Sequence, residues 1–459
     1  MIKSKAKTLL LRFNKNIKMI QVAQILFILS VLVILHEFGH YITAKMFKVR
    51  VEKFYLFMDA GFSLFKKKIG DTEWGIGWLP LGGYVKLSGM IDESMDTEQM
   101  KEEAQPWEFR SKPAWQRLII MLGGIIVNIL LAILIFTIMY ATLGQKFVST
   151  EVVQKNGLAF SEVGKEVGFQ NGDKIVKVDG NAVNHKFNRL IIDVLLSDNI
   201  TIDRSGKQVE VVLTDEKKAK ILALEGKLFL SPRNQFVVDS ITSKEALKAG
   251  LQKGDKIVGV DGKKITYFDE LASQLSKKPN DTIQLSLYRN NQELDIITKL
   301  DKDSKIGFFP KPIDLKGDFE VVHKMSFGNA IHYAVQESWQ LFVYNIKQFK
   351  LILKPKTEAY KQIKSPIGIA RILPDTWDWE FIWSFTALFS IGLAFMNLLP
   401  IPGLDGGHAL FTIVEMITGK TLSVKAAEKV QTFGMIILLT LMVLTFGKDI
   451  YQLVVDKLL

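Results

Sequence analysis

The sequence predicts a polytopic α-helical membrane protein with four transmembrane helices and two small α+β modules inserted between its second and third spans. Three observations carry that prediction. Four apolar runs reach or approach the roughly 20 residues that a helix needs to cross the hydrocarbon core of a bilayer. Charged residues, 23% of a chain that is 48% hydrophobic, gather between those runs rather than within them. A pattern from Asn171 to Gly180 recurs from Lys253 to Gly262, inside the long polar stretch between runs two and three.

The first run extends from about Met19 to Ile42 and follows a basic extension, residues 1–18. It resembles a signal peptide at its start, but HEFGH closes it and no small-residue cleavage site follows. The second run covers about Arg117 to Leu143, the third about Phe381 to Leu399 and the fourth about Val430 to Phe446. Lys45, Lys48, Arg50, Lys53, Lys66, Lys67 and Lys68 lie between the first two runs, and Lys420, Lys425 and Lys429 lie before the fourth. The positive-inside rule places both segments in the cytoplasm and the long middle region outside. The six lysines and arginines of the N-terminal extension oppose that count.

The formal charge of +11 comes without a basic stripe interleaved with aromatics, so anionic lipid head groups are the expected partner and nucleic acid is not. The chain has no cysteine, which excludes disulfides and thiolate metal sites. Any metal must then be held by His, Asp or Glu.

The repeated pattern reads NGDKIVKVDG and KGDKIVGVDG. Each copy is a turn, a short alternating strand and an Asp-Gly turn suited to a hairpin. The second copy, preceded by SKEALKAGLQ, resembles the PDZ domain in its G-L-x-x-G-D-x-I-x-x-V-D-G form. The resemblance implies two PDZ-like domains, residues 144–230 and 231–315, with grooves that accept an added strand or a free carboxyl terminus. The first copy departs from the pattern at Phe169 and Gln170, so its groove is altered or closed. From Met325 to Tyr360 apolar residues recur at helical spacing, with lysines near the end, which predicts a helix lying on the membrane surface. That helix and its linker fill residues 325–376, and Trp377, Trp379 and Trp383 suit the interface before the third span. The catalytic membrane parts are residues 19–143 and 380–459.

His36, Glu37 and His40 form H-E-x-x-H at the end of the first run. On a helix, positions i and i+4 share a face, so both imidazoles can reach one metal. Glu37 stands beside them, placed to take a proton from a water that the metal activates. Three ionisable groups ending a membrane helix are costly to bury and are usually functional. Catalytic zinc takes three protein ligands and keeps an open position. Asp405, in NLLPIPGLDGGH at the end of the third run, is the expected third ligand, with His408 competing for that place. Pro400 and Pro402 end the helix, and Asn397 is suited to donate to the substrate backbone or a developing oxyanion. Zinc is inferred from the ligand types, which also suit other divalent metals.

HEFGH and NLLPIPGLDGGH together resemble the site-2 protease family of intramembrane zinc metalloproteases, along nearly the whole chain. GIIVN, from Gly124 to Asn128, looks like that family's G-x-x-x-N element, and WLPLGGYVKLSGM resembles its membrane re-entrant β-hairpin, at about residues 70–90. With two PDZ-like repeats, the chain is most similar to the RseP-type bacterial branch. The resemblance implies a multi-pass protein of the bacterial inner membrane, acting as a monomer in the stress response. Its PDZ tandem would face the periplasm and its active site would lie near the cytoplasmic side. The substrates it implies are single-span membrane proteins already trimmed by another protease, such as anti-sigma factors and remnant signal peptides. Glycine-rich IGWLPLGGYVKL, with Gly82 and Gly83, is placed to offer a strand edge to an unwound substrate. Asn397, Pro400 and Pro402 are further expected substrate contacts, and Asn128 either holds substrate or bridges helices. Two rivals from other classes are a catalytically inactive membrane scaffold that binds partners through its PDZ tandem and a membrane-anchored zincin acting on soluble substrates. An intact Glu37 opposes the first. The second leaves Asp405 unexplained.

Overall fold

The structure, a computed structural model, describes residues 18–80, 82–90, 102–224, 228–233, 235–276, 278–421 and 423–458. The basic extension expected at residues 1–18 lies outside the described residues except for Lys18. The chain divides into two compact units, one formed by residues 1–144, 324–349 and 363–459, the other by 145–323 and 350–362.

Among the described residues of the first unit, four helices are long and apolar enough to cross a membrane. They are α1 (Met19–Met46), α2 (Ala114–Leu143), α4 (Trp379–Leu398) and α6 (Val424–Leu458), and between them stand α3 (Phe327–Ile352) and α5 (Asp405–Thr418). At 1.5 Å per residue, 28 residues of α1 reach about 42 Å, enough to span with a tilt. Local chemistry sets the ends. Pro113 precedes α2, and Gly144, at φ 76°, ends it. Asp378 caps α4 by accepting from the amides of Glu380 and Phe381 at 2.9 and 3.1 Å. Pro400 and Pro402 prevent α4 from continuing.

Gln21 and Gln24 of α1 donate to the carbonyls of Leu373 and Thr376, just before α4, so the N-terminal ends of α1 and α4 share one side of the bundle. Phe27 packs edge-on against Trp377, Trp379 and Trp383 there, as an interfacial aromatic belt would. Gly39 of α1 lies against the backbone of Gly123 in α2, with no room for a Cβ, the small-residue contact that lets membrane helices approach closely.

Two expectations change in detail. The strands expected to form a hairpin at about residues 70–90, β3 (Thr72–Leu79) and β4 (Tyr84–Leu87), do not pair with each other but belong to a larger sheet with β1 (Val51–Leu56) and β2 (Met58–Ile69), in the order β2-β3-β1-β4. Its hairpin, β2–β3, turns at Gly70 and Asp71, while β4 returns to pair with β1 on the far side. The helix expected to lie on a membrane surface, α3, also has a packed face. Ala330, Ala334 and Leu341 are buried against Phe136 and Tyr140 of α2 and Ala387 and Ile391 of α4. Phe327, Ile331, Val335 and Trp339, four residues apart on the helix, stay exposed. Reading periodicity gave one apolar face; small alanines created a second.

The second unit holds two copies of one plan. Each has a four-stranded sheet, formed by Lys174–Val178, Asn181–Ala182, Asn199–Arg204 and Lys207–Val212 in the first copy and by Lys256–Val260, Lys263–Lys264, Thr282–Arg289 and Gln292–Lys299 in the second. A helix, Phe187–Leu196 or Phe268–Leu275, crosses between the strand pairs. The copies keep separate cores, around Phe187 and Ile200 and around Leu271 and Leu285.

Candidate metal centre

α1 carries His36 and His40 one turn apart, and both are buried, at 8% and 7% exposure. α5 begins with Asp405, so its carboxylate also meets the positive end of a helix dipole. Getting it there takes a tight turn after α4. A Cβ on Gly406 would strike the backbone of Leu398 and Leu399, and one on Gly407 would lie 2.6 Å from the carbonyl oxygen of Ile401.

Asp405 Oδ2 stands 3.2 Å from Nε2 of His36 and 3.2 Å from Nε2 of His40. It is buried and makes no hydrogen bond. The three ligand atoms therefore crowd one another without being aimed at one another. Ligands bound tetrahedrally at zinc distances of about 2.0–2.1 Å stand about 3.3 Å apart, so this spacing and donor set fit zinc, and a cation would satisfy the orphaned oxygen. Among the described residues, His36, His40 and Asp405 are the group able to converge on one ion, and His408 is not part of it.

His40 Nδ1 lies 2.9 Å from the carbonyl oxygen of Ile120 in α2. A carbonyl only accepts, so Nδ1 carries the proton and the Nε2 lone pair faces Asp405. Gly124, one turn along α2, leaves space for both rings: a Cβ there would stand 2.5 Å from His40 Nε2 and 2.6 Å from His36 Cε1.

Glu37 is half-buried beside the histidines, and the backbone amide of Val85 in β4 interacts with its carboxylate. Gly83 precedes that edge strand; a Cβ on it would lie 3.3 Å from Glu37 Cγ and 2.6 Å from the Tyr55 carbonyl oxygen. Gly82 has open space around it. Tyr84 stacks on Tyr55 at 5.2 Å and donates to Asp59 at 3.0 Å, which fixes β4 on its sheet. Asn397 brings Nδ2 to 3.1 Å from His36 Nε2, next to the ligand atoms. Pro400 is exposed, and the backbone of Pro402 presses on Gly434 of α6. Asn128 is fully buried, its Nδ2 at 3.0 Å from His36 Nδ1, so its side chain faces the histidine rather than open space. The Ile120 carbonyl, Gly124 and the Val85 amide were not singled out from sequence. Two of them are backbone groups, which leave no residue-type signal, and Gly124 was visible only as part of GIIVN.

The model of peptidase family M50 matches residues 24–441. The regulator of sigma-E protease RseP of Escherichia coli K12 is 29% identical over 446 residues, covering 93% of this chain and 97% of that one. Protease RseP of Yersinia pestis is 27% identical, covering 93% and 97%. A Neisseria meningitidis serogroup A protein whose name describes it as a zinc metalloprotease is 28% identical, covering 93% and 98%.

Proposed function

The chain belongs to peptidase family M50 and is a zinc metalloprotease, and from that premise we propose that it cuts transmembrane segments of single-span membrane proteins within the bilayer. The observation that carries the proposal is the convergence of His36 and His40, within the apolar helix α1, with Asp405, the first residue of α5, and Glu37 beside them.

His36, His40 and Asp405 would hold the metal. Bound zinc supplies Lewis acidity, lowering the pKa of a water toward neutrality and polarising the scissile carbonyl. Glu37 takes the proton of the attacking water on its carboxylate and passes it to the leaving amide nitrogen. Asn397 donates from Nδ2 to the oxygen of the scissile carbonyl as charge develops there. A substrate helix must first unwind, and each amide left bare in lipid costs several kcal/mol. The edge of β4 replaces those bonds by pairing with the extended peptide, and the Val85 amide keeps that edge beside Glu37. Gly82 leaves room for the added strand, Gly83 lets β4 pack close to Glu37 where the substrate would lie, and Pro400 and Pro402 shape the opposite wall.

The protein sits in the bacterial inner membrane, with the lysine-rich β1–β4 segment and the metal site toward the cytoplasm. The modules at 144–230 and 231–315 are PDZ-like and periplasmic, and they exclude substrates with bulky ectodomains until another protease has trimmed them. Two of the relatives are named for regulation of sigma-E or as RseP, which supports anti-sigma factors as the substrate class, with remnant signal peptides beside them.

Cleavage of a trimmed single-span substrate by the purified chain and by Glu37→Gln, with zinc measured on both, tests the assignment. The expected result is a variant that keeps zinc and loses cleavage by at least about 100-fold. A Glu37→Gln protein that still cuts removes Glu37 from the chemistry.

A further inference from the structure

His36 presents a contradiction as its neighbours are placed. A neutral imidazole has one N–H and one lone pair. Yet the amide nitrogen of Asn128 faces Nδ1 at 3.0 Å, and the amide nitrogen of Asn397 faces Nε2 at 3.1 Å. Two donors cannot both be accepted, so one amide must present its oxygen instead, and amide oxygen and nitrogen are interchangeable by a half-turn. Asn128 is the one that should turn. Its Oδ1 is buried without any hydrogen-bond partner, and an orphaned buried acceptor is costly. Its backbone is already held, because Ser390 of α4 donates to its carbonyl at 2.7 Å.

Resting on the metal site proposed above, we infer that Asn128 is a positioning residue for the zinc: its Oδ1 accepts from Nδ1–H of His36, so that the Nε2 lone pair, which Asn397 Nδ2 faces here, is the one available to the ion in place of that amide. Both histidines then have the same tautomer, and one stripe of α2 sets it. The Ile120 carbonyl accepts a hydrogen bond from Nδ1–H of His40, Gly124 makes room for the two rings, and Asn128 accepts one from Nδ1–H of His36. Residues 120, 124 and 128 lie four apart, on one face of a helix. Partners of this kind orient ligand imidazoles and raise their basicity, and losing one typically weakens metal binding 10–100-fold.

The full detergent-solubilised chain, stripped of metal, would be titrated with zinc against a chromophoric chelator and with cobalt by its visible absorption. Asn128→Leu is expected to weaken zinc binding 10–100-fold and to alter the cobalt ligand-field bands. Asn128→Asp, which keeps an acceptor oxygen, is expected to restore affinity to within threefold of the parent, a rescue that mere space-filling would not give. Equal affinity in Asn128→Leu and the parent overturns the inference while leaving the metal site standing. So does an Asn128→Asp protein that folds but loses tenfold or more, a result that stays decisive even where Asn128→Leu fails to fold. A parent chain that binds no zinc overturns the metal site itself, and this inference with it.

Discussion

A single hydrogen atom at Gly124 decides how closely α2 can approach the two histidines. A methyl group there would stand within 2.7 Å of ring atoms of both. The rings would have to rotate, and errors of about 1 Å in a catalytic arrangement cost on the order of 100-fold. Gly124→Ala is therefore expected to lower kcat/KM on a single-span substrate by about that factor, with zinc occupancy falling at the same time. Normal turnover would mean that α2 can move aside and that the stripe from Ile120 to Asn128 is not tight. At this scale the sequence pointed to the residues proposed to carry the chemistry. His36, Glu37, His40 and Asp405 stood out because imidazoles and carboxylates are rare at the ends of apolar runs. The seats those side chains occupy were hidden. Gly124 acts by what it lacks, and Ile120 acts through its backbone, which every residue type possesses.

Among the elements, repetition made the inserted modules legible, and it also shows which contacts belong to their architecture. Arg204 grips Asp173 with two hydrogen bonds of 2.8 Å and donates to the Gly168 carbonyl at 3.0 Å. Arg289 repeats this with Asp255 at 2.7 Å and the Gly250 carbonyl at 2.6 Å. Asp173 is 1% exposed, so Arg204→Ala would strand a buried charge, at a cost of about 3 kcal/mol. Proteolysis of the folded chain within residues 144–230 should rise accordingly, and unchanged sensitivity would show the pair to be dispensable. The first module also carries a pH-dependent pair. A hydrogen bond of 2.5 Å from the buried Lys218 holds the Asp198 carboxyl below its usual pKa range. Because the folded carboxyl titrates below the unfolded one, near 3.9, the stabilisation is complete above that value and fades as the pH falls through the folded one. Asp198→Asn should consequently destabilise the module at neutral pH and flatten its loss of stability below pH of about 4, as read by thermal unfolding across that range. The four-stranded β1–β4 sheet was less legible, since β1 pairs in parallel with β3, which is remote from it in sequence. A run-by-run reading joins the neighbouring segments of residues 70–90 into a hairpin and misses that β4 crosses back to β1.

For the whole molecule, the order of spans and inserts was readable from the sequence, but one return of the chain was not. Lys350–Gln362 leaves the end of α3 and joins the second unit, where Lys354 pairs with Asp215 at 3.1 Å and Gln362 donates to the Leu222 carbonyl at 3.1 Å. Nothing local in that segment announces a partner about 140 residues away. The chain thus passes between the units four times, at 144–145, 323–324, 349–350 and 362–363. This bears on how the proposed exclusion of untrimmed substrates should be tested. Fusing Gly144 to Lys324 removes both modules but leaves Lys350–Gln362 without the surface it packs on, so the trimmed substrate has to serve as the internal control. With the modules present, a single-span substrate carrying a folded ectodomain should be cut at least about tenfold more slowly than its trimmed form. With them deleted, the two forms should be cut at similar rates. The comparison is a ratio within one protein, so partial loss of activity in the fusion does not obscure it. If the fusion still prefers the trimmed substrate to the same degree, exclusion does not reside in the modules, and selection belongs instead to the proposed peptide site at β4 and Asn397.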